Sequence, residues 1–258
     1  MSSNVTTIHG SAAGRTDATE VERQVRIDLA AAYRLAAHFQ MDDLIYTHFS
    51  ARLPDGTGDF LLNPYGLMFE EITASSLIRV DPAGNVIGET EFDLNTVGYK
   101  IHAPFYHAKP EVGAVLHTHT RAGIAVSAMP DGLLPISQMA LHFYENLGYH
   151  EYRGIAFAGD EQERLIANLG EARAVVLRNH GLLTVGETIA EAFSRLYYLE
   201  QSCRIQVDAM AGGDLVEVPA DTARAMSEQY RKVEMPLSKR EWPAMIRTLD
   251  RRDPSYRD

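Results

Sequence analysis

The sequence predicts one α/β domain of mixed topology, with an antiparallel sheet flanked by helices. Apolar residues recur at helical spacing over residues 18–39 and 188–210. Short apolar segments separated by tight turns follow one another between residues 47 and 89, which is typical of antiparallel strands. Two uninterrupted apolar runs, at residues 112–116 and 174–177, indicate buried strands.

The N-terminal elements follow from apolar period and turn residues. Residues 1–17 are small and polar without an apolar period, so we expect a flexible leader there. An amphipathic helix is expected from Ala18 to about Phe39, and it should cover the sheet. The segment THFSARLPDGTGDFLLNPYG predicts two strands joined by a Pro-Asp-Gly turn region, and SSLIRVDPAGNVIGE predicts a further strand and hairpin.

From residue 94 onward, helices and strands alternate. A helix is expected from Leu94 to Ala108, with a kink at Pro104 because proline removes an internal hydrogen bond. The remaining elements are expected as a strand at 112–116, a helix at 122–129, a strand at 154–158, a helix from the N-cap Asp160 to Leu169, strands at 174–177 and 182–185, and a helix from Thr188 to about Met210. Residues 18–218 are therefore expected to form the domain.

The C-terminal segment, residues 219–258, differs from the rest in charge. It holds nine Lys or Arg and seven Asp or Glu, a net +2, which leaves −13 on the preceding residues. Its sparse aromatic residues predict an extension that docks on the body of the domain or on a neighbouring subunit.

Composition excludes several classes of protein. The chain has 258 residues, a net charge of −11 and one cysteine, so an internal disulfide framework is excluded. No signal-peptide pattern stands at the start, which favours a cytoplasmic location. No apolar run approaches the roughly 20 residues that span a bilayer, so we expect no membrane partner. The acidic balance also opposes binding to nucleic acid.

Three histidines follow buried strands. His117 and His119 are two residues apart, and because side chains on a strand alternate in direction, both rings project from the same side. His180 follows the second buried strand, so a third imidazole can converge with them if the strands are neighbours. A His-x-His pair alone is more often a surface or hydrogen-bonded pair than a metal site. Three neutral imidazoles, however, would leave a divalent ion with open positions for water or substrate, as in catalytic sites.

The segments KPEVGAVLHTHTRAGIAVSA and VVLRNHGLLTVGETIAEAF resemble the class II aldolase/adducin family. The upstream segments THFSARLP and LLNPYGLMFEEITASSLIRVD extend the resemblance over roughly residues 20–215. It implies a three-layer α/β/α fold with a central, mostly antiparallel sheet, and a homo-oligomer, with a tetramer favoured, whose active sites lie between subunits. It also implies one divalent metal per subunit on His117, His119 and His180, with zinc first and manganese, iron or cobalt as alternatives.

Two positions depart from the family pattern. Where sugar-phosphate aldolases of the family carry an acidic proton shuttle, four residues before a histidine, this chain has Gly98 before His102. Tyr65 and Gly66 stand where those enzymes have small hydroxyl residues beside a glycine, and the bulky Tyr65 would crowd a phosphate. We therefore expect an unphosphorylated substrate, bound near Tyr65, Gly66 and Gly98.

The expected function is that of a divalent-metal-dependent lyase on a small hydroxy or oxo carboxylate. It would act by decarboxylation or aldol-type cleavage through a metal-stabilised enolate. Decarboxylation fits the missing acid better, because no substrate proton must first be abstracted. The segment GLLPISQMALHFYENLGYHEYRG brings the chain closest to the adducin-like branch, so the alternative is a catalytically silent module for oligomerisation or protein binding. An oxygenase with iron(II) on the three histidines is a third alternative.

Several residues are candidates for the remaining roles. His48, Tyr144 and Glu145 are candidate replacements for the missing acid, with Tyr149 as a further candidate. Arg121 could bind a substrate carboxylate through two hydrogen bonds, or cap the local helix. The other histidines on the preceding helix, at positions 102 and 107, are expected to face solvent or a neighbouring subunit.

Overall fold

The computed structural model describes residues 12–154 and 160–258, apart from the side chains of residues 12–19 and 234–237. The helices are α1 (Ala12–His38), α2 (Thr96–Ala108), α3 (Arg121–Ser127), α4 (Glu161–Leu169), α5 (Ile189–Ala211) and α6 (Ala220–Arg252). The strands are β1 (His48–Arg52), β2 (Phe60–Leu62), β3 (Pro64–Tyr65), β4 (Ile78–Val80), β5 (Val86–Ile87), β6 (Asp93–Leu94), β7 (Ala114–Thr118), β8 (Gly148–His150), β9 (Ala174–Leu177) and β10 (Gly181–Gly186).

A single eight-stranded sheet forms the centre of the molecule. Its order is β5-β4-β2-β1-β7-β10-β9-β8, and β3 pairs with β6 in a separate ribbon. Every neighbouring pair in the large sheet is antiparallel except β8 and β9, which are parallel. The predicted mostly antiparallel sheet is therefore confirmed.

Helices cover both faces of the sheet. Adjacent residues of β7 point to opposite faces, so Leu116 packs in a cluster with Phe193 of α5, and Val115 packs in another with Phe105 of α2. The first cluster also takes in α1, and the second takes in α4. This arrangement is the expected three-layer α/β/α fold. Among the described residues, no helix is long and apolar enough to cross a membrane.

Helix α1 starts earlier than its apolar period indicates. It begins at Ala12, so the boundary expected between a leader of residues 1–17 and the domain falls inside the helix. Residues 1–11 lie outside the described part of the chain. The additional residues carry no apolar stripe, and a helix can extend over such residues on backbone propensity, which a search for periodicity does not detect.

Helix α2 runs through Pro104 from Thr96 to Ala108. Proline has no amide hydrogen to donate to the carbonyl four residues earlier, which belongs to Lys100. The side-chain amide of Gln162, on α4, donates to that carbonyl instead, at 3.0 Å. The neighbouring helix thus satisfies the group that proline leaves without an intrahelical partner.

One strand near the sheet edge was not predicted. The strand expected from Gly154 to Ala158 falls almost wholly on residues 155–159, which lie outside the described residues. The observed edge strand is β8, which pairs with β9. Three residues are too few to display the alternation from which a strand is recognised.

The C-terminal extension docks on the body of its own chain. The indole of Trp242, on α6, donates to the carboxylate of Asp28 on α1 at 3.1 Å. Tyr256 is fully buried, and its carbonyl accepts the amide hydrogen of Ala74 at 2.9 Å. Contact with a neighbouring subunit stays a prediction.

Candidate metal centre

The sheet order brings the three predicted ligands together at one end of the neighbouring inner strands β7, β10 and β9. His117 lies in β7, directly opposite His48 of β1, and His119 follows two residues later. His180 lies in the turn between β9 and β10, after Asn179, whose φ is +57°. Because β7 and β10 are neighbours, this turn places the third imidazole beside the other two.

The three rings meet through their Nε2 atoms. The Nε2 atom of His119 lies 2.9 Å from that of His117 and 2.8 Å from that of His180. The ligand atoms of the three residues all lie within 4.8 Å of one another. The triad, by which we mean these three histidines, has the convergence that a shared ion requires.

The outer nitrogen atoms of two rings fix their tautomers. The Nδ1–H of His117 donates to the carbonyl of Leu182 at 2.9 Å. The Nδ1–H of His119 donates to the carboxylate of Asp43 at 3.0 Å. Both Nε2 atoms are then unprotonated, so two lone pairs face each other across less than 3 Å. A cation between them removes this repulsion, and outer-shell acceptors of this kind orient histidine ligands in metal sites. The donor set therefore fits a divalent ion.

Burial keeps two rings of the triad, those of His117 and His180, in the form that binds metals. Burial, followed by the proximity of His180 and His48, lowers the pKa of His117 well below its usual value. Burial, followed by His119 and His150, lowers the pKa of His180 to about 4. Metal binding requires neutral imidazole, so these rings need not lose a proton at neutral pH before they bind an ion.

The loop before β1 supplies a second wall of the site. It carries Asp43, and two of its residues have positive φ, Leu44 at +50° and Thr47 at +70°. A β-branched residue at positive φ is a backbone outlier, and such strain is commonly found at functional sites. The hydroxyl of Thr47 is buried and has no hydrogen-bond partner among the described residues.

A cavity of about 660 Å³ opens over the triad. Of the other residues selected from the sequence, His48 and Tyr65 line it. Several further lining residues were not selected from the sequence. Four of them lie in loops, where the apolar period of a helix or strand gives no indication: Asp43, Tyr46, Thr47 and Tyr152. Arg and Lys are absent from the lining among the residues that the structure describes.

Other candidates lie away from this cavity in the single chain. Glu145 forms an ion pair with Arg224 of α6 at 2.7 Å, and the carbonyl of Tyr144 accepts a hydrogen bond from Ser227. Arg121 is exposed at the start of α3 and does not line the cavity. The structure therefore does not bring Tyr144, Glu145 or Arg121 together with the triad.

Tyr149, the further candidate for the missing acid, makes its contacts with a loop residue and an arginine. Its hydroxyl accepts the amide hydrogen of Leu133 at 3.0 Å, and the guanidinium of Arg178 lies over its ring at 4.4 Å. Neither Tyr149 nor these two partners line the cavity over the triad. Tyr149 is thus a packing residue in this structure.

Comparison with known proteins identifies the family. The sequence-family model described as Class II Aldolase and Adducin N-terminal domain matches residues 27–207. The chain belongs to this family. An aldolase II superfamily protein from Pseudomonas syringae, of known crystal structure, is 45% identical, covers 96% of this chain and 100% of its own, and superposes with a TM-score of 0.91. L-fuculose 1-phosphate aldolase from Glaciozyma antarctica is 27% identical over 99% of this chain and 97% of its own, with a TM-score of 0.82. Alpha-adducin of Rattus norvegicus is 43% identical over 195 residues, which are 74% of this chain and 26% of adducin.

Membership of the class II aldolase/adducin family confirms the resemblance found in the sequence and the expected fold. It also supports an enzyme, because relatives that match nearly the whole chain bear the names of aldolases. The adducin match covers the same region and keeps a non-catalytic alternative open.

Gly98, the first departure from the family pattern, lies against His48. A Cβ atom added at Gly98 would stand 2.9 Å from Cγ and 3.1 Å from Cδ2 of His48, closer than real Cβ contacts. The amide of Gly98 donates to the N-cap residue Asn95 at 2.9 Å, which fixes this first turn of α2. The His48 ring therefore occupies the space that a side chain at position 98 would need.

The second departure has an open environment. Tyr65 is 47% exposed at the mouth of the cavity. Gly66 follows at φ +105°, a conformation that other residues rarely adopt, and nothing lies within 4 Å of a Cβ atom added there. The glycine permits the turn that directs Tyr65 to the mouth.

The expectation for His102 was wrong. It was expected to face solvent or a neighbour, but it is fully buried on the inner face of α2, next to His48 and Ser50. His107, one and a half turns later, is exposed as expected. The polar groups that compensate the burial of His102 lie on β1, far away in the sequence. The helical period around His102 therefore does not show that this polar residue faces the sheet.

Proposed function

We propose that the protein is a divalent-metal-dependent carbon–carbon lyase that acts on a small, unphosphorylated hydroxy or oxo carboxylate. The convergence of the Nε2 atoms of three histidines at the wall of a cavity is the observation that carries this proposal. His117, His119 and His180 would hold the ion, with zinc as the first candidate and manganese, iron or cobalt as alternatives. When bound, the ion supplies a Lewis acid for the oxygen next to the bond that breaks.

Residues around the triad hold it and the substrate in place. Asp43 and the carbonyl of Leu182 fix two of the ligand rings through their Nδ1–H groups. His48 lines the cavity beside the triad and fills the space next to Gly98, so we propose it as the polar group that replaces the missing acid. Thr47 offers a hydroxyl without another partner among the described residues.

The cavity lining supports a substrate without a phosphate group. A phosphate is held in proteins by Arg, Lys or a set of backbone amides. No Arg or Lys lines the cavity within the described part of the chain, and Asp43 adds a negative charge to the wall. Tyr65 and Tyr152 are about half exposed at its mouth, so aromatic rings stand at the entrance.

Decarboxylation fits this lining better than aldol cleavage. The described lining has no cationic side chain that would stabilise a substrate carboxylate. When such a carboxylate leaves as CO₂, no ion pair with the protein is therefore lost. Position 98 also supplies no base to abstract a substrate proton. Aldol-type cleavage is the alternative reaction that we propose for a carbon–carbon lyase.

The first experiment measures metal content and turnover together. The full chain, purified without a metal-binding tag, is expected to hold one divalent ion per subunit by mass spectrometric metal analysis. The His117→Ala/His119→Ala variant should lose it, whereas His107→Ala, which alters an exposed histidine on α2, should retain it. Release of CO₂ from a panel of hydroxy and oxo carboxylates then tests the reaction. A purified chain that binds no divalent ion at these residues would remove the basis of the proposal.

A catalytically silent, adducin-like module is the second candidate. The 43% identity to alpha-adducin over 195 residues and the absence of an acid at position 98 favour it. It predicts that a variant with all three triad histidines replaced by Ala keeps its assembly state and its partners. Metal-dependent turnover of any carboxylate would count against it.

We further propose a cytoplasmic homotetramer with active sites between subunits. Three exposed tyrosines at the cavity mouth support an additional subunit there: Tyr46, Tyr65 and Tyr152, at 50%, 47% and 52%. Light scattering of the full chain is expected to give the mass of four subunits. A monomer at micromolar concentration would overturn this assembly.

A further inference from the structure

A buried chain of side chains leads away from His48, on the side opposite the cavity. The Nδ1 atom of His48 lies 2.8 Å from Nε2 of His102. The Nδ1 atom of His102 lies 2.6 Å from the hydroxyl of Ser50, which lies 2.6 Å from the hydroxyl of Tyr106. The four residues are between 0% and 4% exposed. None of His102, Ser50 and Tyr106 belongs to the triad or lines the cavity.

Each of these four side chains has one hydrogen atom to donate within the chain. His48 is 4% and His102 0% exposed, and neither ring contacts a carboxylate among the described residues, so both rings are neutral. A neutral imidazole has one N–H, and each hydroxyl has one O–H. The hydrogen bonds must therefore all run in the same direction along the chain.

Tyr106 sets that direction. Its hydroxyl has Ser50 as its hydrogen-bond partner among the described contacts, so Ser50 is the acceptor for its O–H. With Tyr106 donating to Ser50, the Ser50 hydroxyl donates to Nδ1 of His102. The Nε2–H of His102 then donates to Nδ1 of His48. The reverse direction would leave a buried tyrosine O–H without an acceptor, which is unfavourable.

We propose that the chain Tyr106–Ser50–His102 holds His48 as an Nε2–H hydrogen-bond donor that faces the cavity and serves a substrate oxygen, and not as a fourth metal ligand. His102, Ser50 and Tyr106 are positioning residues, because they act through His48. The proposal rests on the proposed function for the presence of a substrate oxygen at this place. The tautomer itself does not depend on that function.

This assignment explains how His48 can lie beside the triad without joining it. The ring centroids of His48 and His117 are 5.1 Å apart, close enough for a fourth imidazole to compete for an ion. A protonated Nε2 has no lone pair to offer, and Nδ1 of His48 is already occupied by His102. The ion would thus keep open positions for substrate, and the donor would stand beside them.

The first test determines the tautomer of His48 directly. Long-range ¹H–¹⁵N correlation spectra of histidine-labelled full chain, without metal and with zinc, are expected to show hydrogen on Nε2 of His48; the His48→Gln spectrum assigns the signal. Hydrogen on Nδ1, donating toward the ring's own backbone carbonyl, overturns the proposal. Because the metal-free protein gives the same information, this test can fail while the proposed function stands, and the reverse also holds.

The second test measures metal affinity by competition with a chelator. His48→Ala should change zinc affinity by less than about threefold, whereas loss of even an outer-shell partner of a ligand costs about 10–100-fold. A tenfold or greater loss would show that His48 holds the ion, either directly or through a ligand, and would refute the proposal. Circular dichroism of each variant controls for folding.

The third test removes the positioning residues. His102→Phe keeps a ring in the buried site but removes the donor to His48, so His48 becomes free to bind metal. The visible spectrum of the Co²⁺-loaded variant should shift toward that of a site with an additional nitrogen ligand, and Ser50→Ala, a smaller change, should shift it in the same direction. Parent-like spectra from both folded variants would show that the chain does not hold His48.

Discussion

Gly98→Ala tests the close contact between position 98 and the ring of His48. The proposal that His48 takes the place of the missing acid depends on this contact. The added Cβ atom would lie 2.9, 3.1 and 3.2 Å from Cγ, Cδ2 and Cβ of His48, so the ring must move by about 0.5–1 Å to reach ordinary contact at about 3.5–4 Å. His102 holds the far side of the ring, which leaves it little room. Overpacking of this kind costs about 1–3 kcal/mol, against which alanine gains about 1 kcal/mol over glycine in a helix.

We therefore expect Gly98→Ala to lower the free energy of unfolding by up to about 2 kcal/mol, or Tm by up to about 8 °C in a chain of this size. A displacement of His48 on this scale should also lower kcat/KM by tenfold or more, since positioning errors of about 1 Å can cost about 100-fold. Urea denaturation and calorimetry measure the first effect, and steady-state kinetics on the substrate found by screening measure the second.

The matched control is the same change in a His48→Ala background. Removal of the ring eliminates the two closest contacts, so Gly98→Ala should there become neutral or stabilising by about 0.5–1 kcal/mol. The double-mutant cycle gives the clash as the coupling between the two sites. If Gly98→Ala destabilises both backgrounds equally, the steric account of His48 is incorrect.

Three further predictions concern other parts of the molecule. Asp43→Ala should weaken zinc binding by about 10–100-fold in chelator competition, and Asp42→Ala should not; equal affinities for the two would rule out the outer-shell role of the carboxylate. Trp242→Ala should lower the free energy of unfolding by about 3 kcal/mol in urea denaturation, because it opens a cavity under α6; a change below about 1 kcal/mol would show that the extension docks without it. Burial lowers the pKa of His142 to about 4, so the unfolded state binds more protons between pH 4 and 6.5, and stability should fall as pH drops through that window and level off below it. Allowing for partial exposure, we expect about 2 kcal/mol from this group, measured as the difference between parent and His142→Phe in urea at pH 7 and 4.5; a difference that is independent of pH would contradict it.

The fold was predictable where apolar residues alone decide an element. The run Ala174–Leu177 forms β9 with the bounds that its four apolar residues indicate, because a fully buried strand needs no alternation. The placement of His117, His119 and His180 was predictable for the same reason, since each lies at the end of a strand that burial makes recognisable or shortly after it. Two of them also share the period of a strand, which places them on one side.

The rest of the site depends on contacts between distant segments. Asp43 lies 76 residues before the histidine whose ring it holds, in a loop with no apolar period. His102 is polar and lies on an amphipathic helix, so the sequence favours an exposed position. Its burial is compensated by Ser50 and His48, and only the packing of α2 over β1 brings these residues together. Pairings of this kind cannot be obtained from periodicity, which describes one element at a time.

Backbone energetics around the triad favour a working site over a scaffold that retains histidines without a function. Thr47 at φ +70° immediately precedes His48, and Asn179 at φ +57° immediately precedes His180. Left-handed conformations cost roughly 1–3 kcal/mol for residues other than glycine, and most for β-branched ones. Thr47 also buries a hydroxyl without a partner among the described residues, and two ligand rings direct lone pairs at each other. Each feature is unfavourable for a module that only assembles, since glycine or an apolar residue at these positions would remove the cost. An ion on the triad would remove the repulsion between the two lone pairs, and a substrate oxygen beside Thr47 would give its hydroxyl a partner, so a working site would offset these costs.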